Sequence, residues 1–228
     1  MPGIDKKELK KLIGHESPNI IEIGAYDGRD TRELRDLFEC PTILAFEADP
    51  VIAANFFFDL SRKDNKPLNK NINFWGFAVG AQDQPASFLT SDNHRQSGSV
   101  CIPKEHCKVW PEIVFDELSL VPQYRLDTLA AHPFWPFQVE PDNLDETDDI
   151  DLIWADVNGA ELQVIFGARE TLQKTKFLYI EFGVKELYEG QGNLAQIQQA
   201  LPGFWVLLNT YDVGKNFGNA LFENKELS

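Results

Sequence analysis

Short apolar runs alternate along this chain with segments whose apolar residues recur at helical spacing. Residues 5–14 set Leu9, Leu12 and Ile13 on one side and stop at Gly14, which predicts a short amphipathic helix. Residues 19–24 form an apolar run ending in glycine, and 29–38 follow with Leu34, Leu37 and Phe38 at helical spacing, so the pair reads as strand, tight turn, helix. A second run at 42–47 leads into a helix over 50–60 whose proline stands in the first turn, where its missing N–H costs nothing. Residues 73–79 read as a third strand. Near-continuous apolar strands joined to helices by short loops predict a parallel sheet with helices on both faces.

The middle of the chain breaks this rhythm. Residues 86–90 predict an added strand, 91–120 an excursion from the sheet, 121–126 another strand and 132–149, rich in proline and acidic residues, a loop. Alternation then resumes with a strand at 150–157, a helix at 160–172 with Leu162, Ile165 and Phe166 inward, and a strand at 177–182. A helix at 194–201 and strands at 204–209 and 220–223 close the chain. The expectation is one domain over 1–228 with two insertions, 91–120 and 132–149. Because they interrupt the sheet on its ligand-binding side, these should wall or cover a pocket.

Composition narrows the partners. With 36 acidic and 21 basic residues in 228, the net charge is −15, which repels a phosphate backbone and an anionic bilayer alike. Neither nucleic acid nor membrane is therefore expected as a partner. Cys40, Cys101 and Cys107 are odd in number and lack Cys-x-x-Cys spacing, which argues against a disulfide framework and a structural zinc site. The N-terminus carries no apolar leader, and no run of 18 apolar residues occurs, so a cytoplasmic location is expected. Nothing in the sequence speaks to oligomeric state.

Candidate chemistry gathers at the first strand-to-helix turn, Glu22-Ile-Gly24-Ala-Tyr26-Asp27-Gly28. An open parallel sheet binds nucleotide-like ligands at such a turn. Its glycines allow a close approach, and Glu22 and Glu47 stand at strand ends where they can accept hydrogen bonds. Gly24 and Glu47 are 23 residues apart, near the roughly 20 expected between a glycine turn and an acid that holds ribose hydroxyls. Tyr26 and Asp27 disfavour a pyrophosphate, and with it a nicotinamide dinucleotide, but suit a ribosyl cofactor with a cationic end. S-adenosylmethionine has that character. The end of the third strand, Ala78 and its neighbours with Asp83, is expected to meet the adenine.

Four stretches together resemble the FkbM-type methyltransferases. They are Glu22-Ile-Gly-Ala-Tyr-Asp-Gly28, Ala45-Phe-Glu-Ala-Asp-Pro50, Arg125-Leu-Asp-Thr-Leu129, and Asp151-Leu-Ile-Trp-Ala-Asp-Val-Asn-Gly-Ala-Glu161 followed by Phe166-Gly-Ala-Arg-Glu-Thr-Leu172. The resemblance implies a Rossmann-like α/β fold: the class I methyltransferase sheet of order 3-2-1-4-5-7-6, last strand antiparallel. It also implies S-adenosylmethionine as cofactor and a small-molecule or glycan hydroxyl as acceptor. The chain departs from the family at Trp154, where a Lys is usual, and at Asn158, where a Glu is usual. The Asn-Pro-Pro-Tyr motif of amino-methylating relatives is absent after this strand, which favours oxygen.

Asp156, at the end of a central strand, is the first candidate to orient or deprotonate that hydroxyl; capping the following helix is its alternative role. His94, in a polar loop, is the second candidate base. His106, His132 and His15 are weaker ones. Asp127 and Glu181 also end predicted strands; Asp127 is expected to organise the following turn, and Glu181 to line the acceptor pocket or join Asp156 in holding a divalent cation, but two separated carboxylates are a thin case for a metal, and none is expected. The competing reading is a methyltransferase-fold module that binds the cofactor, or nothing, without catalysis.

Overall fold

The computed structural model describes residues 3–62, 71–137 and 149–227. The strands of the main sheet, numbered along the chain, are β1 (Asn19–Ile23), β2 (Thr42–Phe46), β3 (Ile72–Trp75), β4 (Ile150–Ala155), β5 (Thr175–Gly183), β6 (Trp205–Tyr211) and β7 (Phe217–Asn224). Their spatial order is 3-2-1-4-5-7-6, and β7 alone runs antiparallel to its neighbours β5 and β6. The order reverses between β1 and β4, which opens a crevice at their carboxyl ends.

Side chains alternate along each strand and feed two cores. Ile21, Ile23, Leu44, Ile153 and Leu178 face Val164 and Ile165 of helix Glu161–Gly167 and Ile197 of helix Leu194–Ala200. Ile20, Ile43 and Leu152 face Leu9 and Ile13 of helix Lys6–Ile13 and Leu34 of helix Arg29–Leu37. Each fully buried Leu or Ile contributes roughly 1.5–3 kcal/mol relative to exposure. The helix ends follow the sequence signals. Gly14 closes the first helix in the left-handed conformation, and Asp49 caps helix Pro50–Ser61 by accepting the N–H groups of Val51 and Ile52.

Three expected elements differ. The strand expected over 73–79 ends at Trp75, and Ala78–Val79 pairs instead with Gln123–Tyr124 in a separate two-stranded ladder. The strand expected over 121–126 is divided at Pro122, which has no N–H to give a ladder. Glu117–Val121 pairs antiparallel with Ala86–Thr90, and Leu126–Ala130 is helical, with Leu126 and Leu129 buried. Asp127 thus lies in a helix rather than at a strand end, accepting from the Glu170 and Thr171 backbones and the Thr171 hydroxyl. The helix expected over 160–172 stops at Gly167, where a Cβ would stand 1.9 Å from the carbonyl oxygen of Gly80. Phe166, expected inward, is 42% exposed.

Candidate functional site

A cavity of about 1000 Å³ occupies the crevice beyond β1 and β4. Its floor depends on Gly24, at φ +91°. A Cβ there would lie 1.9 Å from the Asp156 carbonyl oxygen, so only glycine lets the two strand ends meet. Tyr26 and Asn158 flank this point with φ of +47° and +51°, conformations that a non-glycine residue holds only when its surroundings enforce them. For Tyr26 the enforcing contact is a 2.7 Å hydrogen bond from its N–H to Glu47 Oε2. The other oxygen of Glu47 accepts the Asp49 N–H at 2.6 Å. Glu47 is buried, lines the cavity, and is pushed up to about 7 by burial, against those backbone donors.

The cavity brings together Gly24, Tyr26, Asp27, Glu47, Ala78, His94 and Asp156 from the sequence-derived set. It does not bring in Glu22, Gly28 or Asp83. Glu22 shares strand parity with Ile20, so it points under helix Arg29–Leu37, where the Thr31 hydroxyl donates to it at 2.5 Å. Gly28, at φ +74°, packs against the Phe56 ring. Asp83 accepts the Arg125 N–H and the Thr128 hydroxyl, each at 2.8 Å, and so organises a turn.

At the carboxyl edge, Asp156, Glu161 and Glu181 each offer an oxygen within 4.8 Å of the others. The Asp156 side chain is open to the cavity and has no hydrogen bond or ion pair among the described residues. Among the described residues no side chain caps helix Glu161–Gly167, so Asp156 does not take that role; Glu161 Oε1 instead accepts the N–H groups of Val157 and Gly159 in the turn before the helix. Loss of bulk water, with Asp30 nearby, raises Asp156 to about 6. Burial raises Glu161 to about 7, with Asp156 adding to it, and raises Glu181 well above the ordinary carboxyl range, with Asp156 and Glu161 adding to it. Trp154 stacks on Tyr179 at 4.1 Å, and Lys6 Nζ lies 4.4 Å above the Trp154 ring. A cation from the N-terminal helix therefore stands beside the position where the family usually has Lys.

Residues 93–98, with His106 and Trp110, wall the opposite side. Ser97 Oγ lies 3.0 Å from His94 Nδ1 and 3.1 Å from His106 Nε2. Burial, with His94 nearby, holds His106 below its ordinary value. Asn158 donates to the carbonyls of Gln96 and Gly98, while Ser99 donates to the Asn158 carbonyl, which ties this wall to the end of β4. Arg95 secures its outer side on Asp49 and Glu117. The sequence reading missed this clip; an Asn-Gly pair at a strand end, where Asn tolerates positive φ, was the available signal. Residues 132–137 line no part of this cavity. His132 and Phe134 border a second, mostly apolar cavity of about 790 Å³, and Trp135 and Phe137 join the main core. Residues 138–148 of the expected second insertion lie outside the described residues.

The raised carboxyls predict how stability changes with pH. Glu22, at about 8, and Glu47, Asp156, Glu161 and Glu181 all bind protons more tightly in the folded chain than at their ordinary values. The folded state therefore holds more protons. This stabilisation is complete below about 4.5, the ordinary Glu value, and is lost as pH rises through about 8. Thermal melts of the ligand-free protein should give a Tm roughly 5–10 °C lower at pH 8 than at pH 5.5, from a few kcal/mol of lost stability. Glu22→Gln should flatten part of that slope, and a Tm that rises with pH would contradict this assignment.

Among the described residues, no helix is long and apolar enough to cross a membrane. A family profile described as the methyltransferase FkbM domain matches residues 22–212. The 2-O-methyltransferase NoeI of Sinorhizobium fredii (strain NBRC 101917 / NGR234) is 32% identical over 204 residues, covering 87% of this chain and 76% of that protein. Among solved structures, the methyltransferase FkbM from Methylobacillus flagellatus KT superposes with a TM-score of 0.54 at 15% identity, covering 92% of this chain. This chain spans only 44% of that protein's length. A candidate O-methyltransferase from Klebsiella pneumoniae gives a TM-score of 0.51 at 14% identity, covering 96% of this chain and 77% of its own. These two structural likenesses speak for the fold, whereas the profile spans the glycine turn, the Glu47 strand end and the Asp156 edge in one continuous match: the chain belongs to the FkbM methyltransferase family.

Proposed function

We propose that this protein transfers the methyl group of S-adenosylmethionine to a hydroxyl oxygen of a sugar, a glycan or a comparable small molecule. The observation that carries the reading is the joining of three features in one cavity: the Gly24 turn, the doubly anchored Glu47 carboxylate, and Asp156 free at the end of β4. The cavity also fits the cofactor electrically. Nine Asp and Glu side chains line it against three Lys and Arg, a balance that attracts a sulfonium. When bound, the cofactor supplies an activated methyl group for in-line displacement.

The protein's own part is placement, water exclusion and proton handling. Glu47, its carboxylate fixed by two backbone N–H groups, keeps lone pairs to accept the two ribose hydroxyls. Asp156 orients the acceptor hydroxyl and takes its proton, and a carboxyl at about 6 is largely ionised at neutral pH while still basic enough for that task. His94, held by Ser97 on the facing wall, is the second candidate for the proton. Trp110, on the wall of the cavity, offers the acceptor an aromatic surface that suits a sugar. NoeI acts, by its description, as a 2-O-methyltransferase, which supports oxygen as the acceptor atom and an enzyme over a non-catalytic module.

Incubation with methyl-labelled S-adenosylmethionine and a panel of mono- and oligosaccharides, read by mass spectrometry, tests the reading. A methyl ether on a hydroxyl is the expected product. Label carried only on nitrogen, across matched amine and alcohol acceptors, would overturn it.

A further inference from the structure

We propose that Asp156, Glu161 and Glu181 together bind one divalent, oxygen-seeking cation of the Mg²⁺ or Mn²⁺ kind at the carboxyl edge of β4 and β5. The three carboxylates come from different elements: the end of β4, the first turn of helix Glu161–Gly167, and β5. Each offers an oxygen within 4.8 Å of the other two. Oxygens bound to one ion at 2.0–2.6 Å stand at most about 5 Å apart across it, so the trio can share an ion with small side-chain adjustments.

Two further observations point to a missing ligand rather than to an ordinary acidic surface. Glu161 is fully buried, and while its Oε1 accepts two backbone N–H groups, its Oε2 is buried without a hydrogen-bond partner among the described residues. Glu181 is 8% exposed and lines the cavity, with no hydrogen bond or ion pair among the described residues. A buried charge with no counter-charge is costly, and among the described residues the group forms no ion pair with a Lys or Arg. Lys6, which also lines the cavity, is engaged over the Trp154 ring and pairs with Asp30 and Glu33. Of the three, Asp156 is the exposed one, and with Glu181 it lines the cavity, so the remaining coordination positions of the ion would face the acceptor's oxygens. That last step rests on the methyl-transfer reading, whereas cation binding itself does not.

The test uses the full chain, stripped with a chelator and free of cofactor, titrated with Mn²⁺ and read by the loss of the free-ion electron paramagnetic resonance signal and by calorimetry. One ion per chain is expected. Glu181→Gln and Asp156→Asn should each weaken it at least tenfold, while Glu112→Gln, on the far wall of the same cavity, should leave it within twofold. Glu161→Gln should act like Glu181→Gln, and if it fails to fold the other two variants still decide the outcome. Absence of Mn²⁺ binding at millimolar concentration, or affinity unmoved by Glu181→Gln and Asp156→Asn, overturns the proposal. A parallel titration of S-adenosylhomocysteine in chelator reads the cofactor site separately, so failure of one site is not mistaken for failure of the other.

Discussion

Asp156→Asn is expected to lower methyl transfer by roughly 100 to 10,000-fold, the span of general acid–base contributions, while S-adenosylhomocysteine affinity stays within about threefold. The side chain has no structural duty that would confuse the outcome. Among the described residues it makes no hydrogen bond, and helix Glu161–Gly167 has no side-chain cap for it to supply. Asn preserves shape and removes both the charge and the ability to take a proton. Since Asp156 ionises near pH 6, activity of the wild-type protein should rise through that pH, and the variant should lose that limb of the profile. Full activity in the variant would remove Asp156 from the reaction and make His94→Ala the next measurement. A variant that unfolds would instead reveal a structural role.

Glu47→Ala is expected to weaken S-adenosylhomocysteine by roughly 1.5–3 kcal/mol, about 10 to 150-fold, the range for hydrogen bonds to a charged group. Its carboxylate accepts the backbone N–H groups of Tyr26 and Asp49, and the residue lines the cavity. Truncation also strands those two donors, at a cost of about 1–3 kcal/mol each to the fold if water does not reach them. Binding is therefore to be compared at a temperature where the variant is folded. Undiminished affinity in a folded variant would detach Glu47 from the cofactor.

The places of the main strands were legible as apolar runs, most of them closed by a glycine or an acid, whereas their order and the antiparallel last strand were implied by the family resemblance. Asn19–Ile23 and Thr42–Phe46 are instances. The break at Pro122 was a local signal, whereas two other errors come from contacts across long stretches of chain. Nothing local to 73–79 announces that the strand must leave the sheet after Trp75 to pair with Gln123–Tyr124. The helix after Asp156 ends at Gly167, where a close approach to the backbone of Gly80 admits only glycine, a contact invisible in period. At the site, Gly24, Glu47 and Asp156 could be read from position. Glu22 could not, because strand parity decides which face it takes, and it goes to Thr31. The carboxylate trio was half legible: Asp156 and Glu181 were noted as a pair, while Glu161 enters only through the turn that brings the helix back over β4 and β5.

The measurement closest to the central claim is a calorimetric titration of S-adenosylhomocysteine into the purified protein at pH values from 5.5 to 8. The account predicts one molecule per chain, bound more weakly as pH falls below about 7, where Glu47 takes up a proton and gives up part of its capacity to accept the ribose hydroxyls. No binding at millimolar ligand across that range would contradict it.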